Sequence, residues 1–438
     1  MKRIALSIAL ISSIAFASED EFEDDFGGEE VIEIAPTVQR DKQNEKFSLY
    51  GSVSLLSSYN YAHDRPVAAV QNDFRGLSSV KTSANLNVEY KFDNGFKTKA
   101  VFKTYKDFAY DIKDTQYKTI PQAYDQEFDI NELYAQGSLN SNTDIKIGRQ
   151  IVVWGKSDNI RITDIINPMD NRNPGMVDIE DLRLGRTISK LDYYMGQWSL
   201  SAMLLHENRF SKMPEVGSDF AVGASRAMQQ PSNTLDNIGI AMSLSGQFNG
   251  YDLAFYYANT YVDKPYVKNA ILQYDKSNML GVAYNKVWDS FLFKAEMAYF
   301  DNIRYNSTRE DKARLDALVG FEYNGISDGS FSYEIANRHI SNYENQMLAG
   351  DNVDKDEVQH AFRFTQSYMN QTLDFTALYS AFGKEFNDGG FVRAWLDYDI
   401  NDSVSSTVGV INYLGGNDVM IDQMRNNDRV FASIKYSF

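Results

Sequence analysis

Residues 154–186 hold the chain's densest mixture of charge: Lys156, Arg161, Arg172, Arg183 and Arg186 against Asp158, Asp164, Asp170, Asp178, Glu180 and Asp181. Trp154 heads the stretch and Pro168 and Pro174 interrupt it, so it reads neither as a strand nor as a tight turn. Such residues do no covalent chemistry by themselves. Opposed basic and acidic rows in a narrow, partly desolvated passage set up a transverse field, which acts on ions and polar solutes far more strongly than in bulk water. The competing reading is an exposed loop whose charges pair with one another at little gain. Ile160, Ile162, Ile165 and Ile166 argue against disorder, and loops of this length in a compact protein are usually functional or disordered. We therefore expect 154–186 to fold inward, with Trp154 and these charged side chains as a constriction.

Other chemistry is thin. The chain has no cysteine, hence no disulfide, thiolate nucleophile or thiolate metal site. His63, His206, His339 and His360 lie far apart and form no H-x-x-x-H spacing. His206-Glu207-Asn208 does not match the His-x-Ser-Asn-Gly site of outer-membrane phospholipases, and a protease-type site from His206 and the loop aspartates is a looser alternative. Asp351, Asp354, Asp356 and Glu357 offer oxygens to Ca²⁺, but read better as a solvated acidic loop. No catalysis, cofactor or metal is expected. A net charge of −17, from 60 acidic and 43 basic residues, argues against nucleic acid as a partner.

The elements that would position the loop have period two. Val80, Thr82, Ala84, Leu86, Val88, Tyr90 and Phe92 share one face, while Lys81, Ser83, Asn85, Asn87, Glu89 and Lys91 share the other. Tyr251–Tyr257 and Leu315–Tyr323 repeat the pattern, which places one face in apolar and one in polar surroundings. The connectors alternate as well. Short turns such as Asp93-Asn94-Gly95, Asn249-Gly250 and Asn370-Gln371 supply the backbone angles of tight hairpins. Between them lie longer polar loops, roughly 63–79, 110–127, 154–186, 207–234, 263–276, 303–313, 342–356, 384–388 and 416–427. Short turns at one end and long loops at the other predict a transmembrane antiparallel up-and-down β-barrel. Counting gives eighteen strands, from a first near residue 47 to a last near 428, or sixteen if a weak pair belongs to the loops. At either count side chains do not fill the lumen, so it is expected to be aqueous. Lys97, Lys99 and Lys103 fall on the lumen face of the third strand, whereas Arg149 falls on the lipid side unless a bulge at Gly148 turns it inward.

The chain ends point to a location. Lys2 and Arg3, an apolar run and Ala15-Phe16-Ala17 have the layout of a cleaved export signal over residues 1–17. Residues 18–45 then read as a disordered periplasmic tail, with nine acidic and no basic side chains between Ser18 and Ile34. Within it Glu30–Ile34 faintly resembles the coupling box of TonB-dependent transporters, but no plug domain follows: the barrel begins at 46. The last strand alternates Val430, Ala432, Ile434, Tyr436 and Phe438 with polar residues. It resembles the assembly signal of Gram-negative outer-membrane barrels, carried here by Tyr436 and Phe438.

The barrel size, the loop alternation and the long third loop also resemble general porins, whose third loop narrows the lumen. Gly148-Arg149-Gln150, Trp154-Gly155 and Asn167-Pro168 resemble a pattern of a large, poorly characterised family of proteobacterial outer-membrane proteins. These resemblances imply an outer-membrane location in a Gram-negative bacterium. They imply contacts with outer-membrane lipids and the barrel assembly machinery, and, from general porins, a homotrimer. The expectation is a porin-like channel passing small polar solutes or ions passively. The alternatives are a substrate-specific channel, or a surface adhesion or structural protein for which the barrel is an anchor.

Overall fold

A computed structural model describes residues 46–66, 71–114, 116–117, 121–221 and 227–438. The expected export signal and acidic tail lie outside the described residues.

Strict alternation over 8–16 residues, broken by Gly, Asn and Asp, yields strands joined in sequence. They are β1 (Phe47–Asn60), β2 (Gly76–Lys91), β3 (Lys97–Asp107), β4 (Gln126–Asn140), β5 (Thr143–Gln150) and β6 (Arg186–Met195). There follow β7 (Trp198–Leu205), β8 (Gly239–Phe248), β9 (Tyr251–Tyr261), and a small hairpin of β10 (Tyr266–Lys268) and β11 (Ile271–Gln273). Next come β12 (Lys276–Trp288), β13 (Phe291–Ile303), β14 (Lys312–Ile326), β15 (Gly329–Ile340) and β16 (Asp356–Tyr368). The last four are β17 (Leu373–Phe382), β18 (Gly389–Asn401), β19 (Val404–Leu414) and β20 (Arg429–Ser437). All but the hairpin form one 18-stranded antiparallel sheet, closed where β1 pairs with β20 from Ser52↔Ser437 to Asn60↔Arg429. Phe438 finishes the seam: its N–H donates to Gly51 O at 2.9 Å, and its carbonyl accepts from Gly51 N at 2.8 Å. Closure removes the open edges of the sheet.

The short turns sit where positive backbone angles are needed, at Gly95 (φ +82°), Gly250 (φ +82°) and Asp289 (φ +51°) among others. Short helical turns and the β10–β11 hairpin occupy parts of the long loops. The sequence does not announce these, because three or four ordered residues leave no periodicity to read.

Alternation sorts the two faces. Leu133, Ile147, Phe255, Met297, Tyr299 and Val319 stand exposed on the outside of the wall. The main apolar core lies in the lumen instead, where Ile160, Ile162 and Ile166 of the third long loop pack on the inner faces of β7–β16. Small inner-face residues leave room for the loop there: Ala241, Ala254, Ala258, Ala283, Ala298 and Ala336 are all buried. Burying each isoleucine contributes about 2 kcal/mol toward holding the loop inside.

Candidate pore constriction

The inward loop begins where β5 leaves the wall. Gly148 (φ +129°) lies so close to β4 that a Cβ would stand 2.2 Å from the Leu133 carbonyl oxygen. Gln150 is fully buried, and its Nε2 donates to Ile188 O at 3.0 Å. Asn167 ties the outgoing and returning chain together. Its Oδ1 accepts from Val152 N at 2.7 Å, and its Nδ2 donates to Gln150 O (3.2 Å) and Leu184 O (2.9 Å). The residues singled out around Gly148, Gln150 and Asn167 thus build the neck of the loop. Trp154 stacks on Tyr256 of β9 with ring centres 4.8 Å apart.

Beyond Trp154 the chain crosses to the far wall, where two buried glutamates hold it. Glu296 of β13 accepts from Lys156 N (2.6 Å), Ser157 N (2.8 Å), Thr163 N (3.1 Å) and Thr163 Oγ1 (2.6 Å). Glu334 of β15 accepts from Ser157 Oγ (2.8 Å), Asp158 N (3.0 Å) and Asn159 N (3.1 Å). Gly155 (φ +89°) permits this approach, since a Cβ there would meet Glu296 Oε1 at 2.7 Å. Sequence reading missed both glutamates. Their only signal is Lys294-Ala295-Glu296 and Glu334 on inner faces of strands, which reads as ordinary lumen polarity.

The charged residues of the loop are placed as follows. Lys156 lies 3.4 Å from Asp252, and Asp158 is bonded to Lys294 of β13. Asp164 is buried between Arg183 (2.9 Å) and Arg161 (3.3 Å). Asp178 reaches β16 and β18, bridging Arg363 (3.1 Å) and Arg393 (2.7 Å). Arg172 is buried against Asp170, Glu127 (2.6 Å) and Tyr105 Oη (3.1 Å). Burial alone would raise the Asp170 carboxyl, but the Arg172 guanidinium, with Lys212, holds it below the usual carboxylate range. Arg186 turns to Thr260 Oγ1 (3.2 Å) and Ile166 O (3.4 Å). Glu180 and Asp181 are exposed, and Asp181 lines the cavity described next. Many of these charges therefore seat the loop instead of standing in opposed rows.

The return limb, residues 170–184, borders a cavity of about 230 Å³ against the β1–β4 wall. Strand register writes the composition of that wall. Ser52, Asn85, Lys103 and Asp129 form one row across β1–β4, and Ser54, Ser83, Tyr105 and Glu127 form the next. Asp170, Arg172, Asp181 and Arg183 face them from the loop, and Lys212 joins from the fourth long loop. Four basic and four acidic side chains line the cavity, so its formal charge balances. Most are spent on one another or on neighbours: Lys212 lies 2.8 Å from Glu127, Arg172 pairs with Glu127 and Asp170, and Arg209 from outside the lining pairs with Asp129. Lys103 has no ion pair or hydrogen bond among the described residues. Of the other wall lysines, Lys99 lies 3.5 Å from Glu89, and Lys97 stands two positions further along the same face. A second cavity of about 230 Å³ lies beside the loop's neck, and Lys146, Lys156 and Lys190 balance Asp144, Asp192 and Asp252 there.

Arg149 does not turn inward on a bulge at Gly148, because β5 pairs with both neighbours without a shift at that position. The irregularity lies in β4, where Asn131 is the extra residue between the partners of Val101 and Phe102. His206 bonds Ser189 Oγ at 2.8 Å, not a loop aspartate. Asp351 and Asp356 are occupied by Ser307 N (3.0 Å) and Asn337 Nδ2 (3.0 Å), and no metal-holding cluster of three or more acidic or histidine side chains occurs among the described residues.

A closed 18-stranded barrel whose third long loop crosses the lumen is the architecture of porin-like outer-membrane proteins. The sequence matches the model of the family described as Protein of unknown function (DUF1302) over residues 4–438, and the chain belongs to that family. The structure is similar to OccAB2 of Acinetobacter baumannii, with a TM-score of 0.52 and 12% identity, covering 90% of this chain and 98% of that one. It is similar to OccK2 (OpdF) of Pseudomonas aeruginosa, solved with glucuronate, at a TM-score of 0.51, 13% identity and 90% and 97% coverage. OccK1 (OpdK) of the same species gives a TM-score of 0.52 at 10% identity, covering 90% and 98%. At such identities the likeness is one of fold. No curated protein matches the sequence.

Proposed function

We propose that the chain is an outer-membrane channel that passes small hydrophilic solutes passively, without catalysis. The passage runs between the return limb of the third loop and the β1–β4 wall. The observation that carries this reading is the composition of that cavity: serine, asparagine and tyrosine side chains with four charges of each sign. Hydroxyl and amide groups replace the hydration of a polar solute, and balanced charge neither traps nor repels one outright. On the opposite side the outgoing limb is seated by apolar packing and by the two glutamates, and the second cavity lies there beside the loop's neck; the β1–β4 side, which the return limb borders across a cavity, is the main route.

A second reading, a channel selective for one class of solute, is favoured by Lys103. Its ammonium has no ion pair or hydrogen bond among the described residues and sits in a row with Ser52 and Asn85, a fitting contact for a hydroxylated carboxylate. OccK2, of similar fold, was solved in complex with glucuronate.

Single-channel recording of the purified protein in a planar bilayer tests both. Steady conductance steps with a reversal potential near zero under a salt gradient are expected of a charge-balanced passage. Block of that current by millimolar glucuronate, but not by glucose, would favour the selective reading. Absence of conductance would overturn both in favour of a barrel that serves as an anchor.

A further inference from the structure

Among the described residues, the longest stretch of wall strand without a ladder partner on one side lies in β4. That strand pairs with β3 from Gln126 to Gln136, but with β5 only from Leu133 onward. Residues 126–132 therefore have no strand on their β5 side, because β5 has already turned into the lumen at Gln150. At a rise of about 3.3 Å per residue this leaves roughly 20 Å of sheet edge without a ladder, at the long-loop end of the barrel.

Side chains complete the wall in place of backbone. Arg149 Nη1 donates to Ile130 O at 3.0 Å, and Nη2 donates to Glu207 at 2.6 Å. Arg209 pairs with Asp129 and donates to Gly185 O at 2.8 Å. Gly185 itself presses on β4 so closely that a Cβ would stand 1.8 Å from Asn131 O. The Arg149–Asp129 contact of 3.7 Å shows that this is a breach. Arg149 belongs by register to the outer face, in line with Leu133 (52% exposed) and on the same face as Ile147 (48% exposed). Asp129 belongs to the inner face, beside Lys103 in the cavity. In an intact sheet two such residues are separated by the sheet itself; here their ion pair passes through the wall.

We propose that this breach is a lateral portal between the lumen cavity and the outer leaflet, latched by Arg149, Asp129, Glu207 and Arg209, and that it exchanges single-chain amphiphiles. The inference rests on the channel reading. The chemistry on the two sides fits such a molecule. The inner side offers Lys103 and hydroxyl groups to a polar head, while the outer side offers Phe128, Ile130 and Leu133 to an apolar tail. Glu207 and Arg209 lie next to each other at the start of the fourth long loop, so displacing residues 207–209 releases the latch without disturbing the ladder below Leu133.

The absence of cysteine makes the test specific. Single variants Ser83→Cys in the cavity, Ser245→Cys on the opposite lumen wall and Ile147→Cys on the outer face are placed in lipid nanodiscs. Each is treated with a water-soluble maleimide or with a bilayer-confined octadecyl maleimide. The water-soluble reagent labels both lumen sites if the lumen is open, and failure to do so refutes the channel reading itself. The confined reagent is expected to label the Ile147 variant fast and the Ser83 variant at least about fivefold faster than the Ser245 variant. Arg149→Ala with Arg209→Ala should raise the Ser83 rate further, and joining Asp129→Cys to Arg209→Cys with a bifunctional thiol reagent should abolish octadecyl-reagent labelling from the bilayer. Equal, slow labelling of the two lumen sites by the confined reagent, unchanged by the latch substitutions, would overturn the portal.

Discussion

The two sides of the lumen are built on different principles. Along β7–β16 small and apolar inner-face residues receive the loop's outgoing limb through Ile160, Ile162 and Ile166, with a polar cavity beside the loop's neck. Seven hydrogen bonds from the loop to Glu296 and Glu334 complete that seat. Along β1–β4 the inner face is serine, asparagine, lysine and carboxylate, and the return limb meets it at Arg172 and across a cavity. A loop that must stay inside a wide barrel is fixed on one wall so that the other can remain wet. Apolar burial and carboxylate-to-backbone bonds hold the outgoing limb, whereas the return limb is held chiefly by ion pairs, at Arg172, Asp178 and Arg183.

Removing the seat should have the largest effect. Glu296→Ala with Glu334→Ala takes their acceptors from the buried N–H of Thr163 and the half-buried N–H groups of residues 156–159, at up to about 1–3 kcal/mol each. The outgoing limb is then expected to leave the wall. Single-channel conductance should rise at least about twofold, and the loop should become cleavable by added protease in the intact barrel. Unchanged conductance would mean that apolar burial alone seats the loop.

Arg172→Ala should rank second. It removes the main partner of Asp170 at the edge of the cavity, while Glu127 keeps Lys212, and breaking a buried pair from one side costs about 3 kcal/mol. Only the return limb loosens, so the expected signs are current noise and a shift toward cations, with mean conductance changed by less than the seat variant changes it. A fall in conductance would show that Arg172 holds the passage open instead of holding the limb.

Acid acts on the same pair more gently. Asp170 is held below the usual carboxylate range by Arg172 and Lys212, despite burial. A depressed carboxyl contributes stability that is fully present above its unfolded pKa, near 3.9, and is lost as pH falls through the lower folded value. Current noise from the return limb should therefore stay flat from neutral pH to about 4 and grow below it. Asp170→Asn should remove that acid-dependent component; its persistence would assign the transition to another group.

The two walls were not equally legible in the sequence. Alternation and turn chemistry announced the strands, because each strand must present one face to lipid and one to the lumen, as Leu133 and Tyr134 do. The long third loop was legible from its prolines, charges and isoleucines. What that loop touches was not. Glu296 and Glu334 look like any lumen carboxylate until the chain from β5 is brought over them. Asp158, Asp164 and Asp178 read as a field across a passage, yet each is taken up by a cation from the wall or from the loop itself. Sequence displays which charges a loop carries, but only the fold decides which of them are spent on holding it.

Lys103 is where that distinction leaves the smallest and sharpest prediction. Its row-mates are neutral on one side, at Ser52 and Asn85, and Asp129 on the other side is already paired with Arg209. With no ion pair or hydrogen bond of its own among the described residues, Lys103 brings one unspent positive charge to the cavity. A unit charge about 8 Å from a passing ion, at an effective dielectric near 40, is worth roughly 1 kcal/mol. Lys103→Gln should thus keep conductance within the wild-type range while changing the anion-to-cation permeability ratio about fivefold toward cations. Fold and loop seating should not respond, since no bond of Lys103 supports either. Reversal potentials in a tenfold salt gradient, wild type against variant, read this directly. An unchanged ratio would show that ions do not pass along the β1–β4 wall, and the contrast between a sealed side and a wet side would have to be reversed.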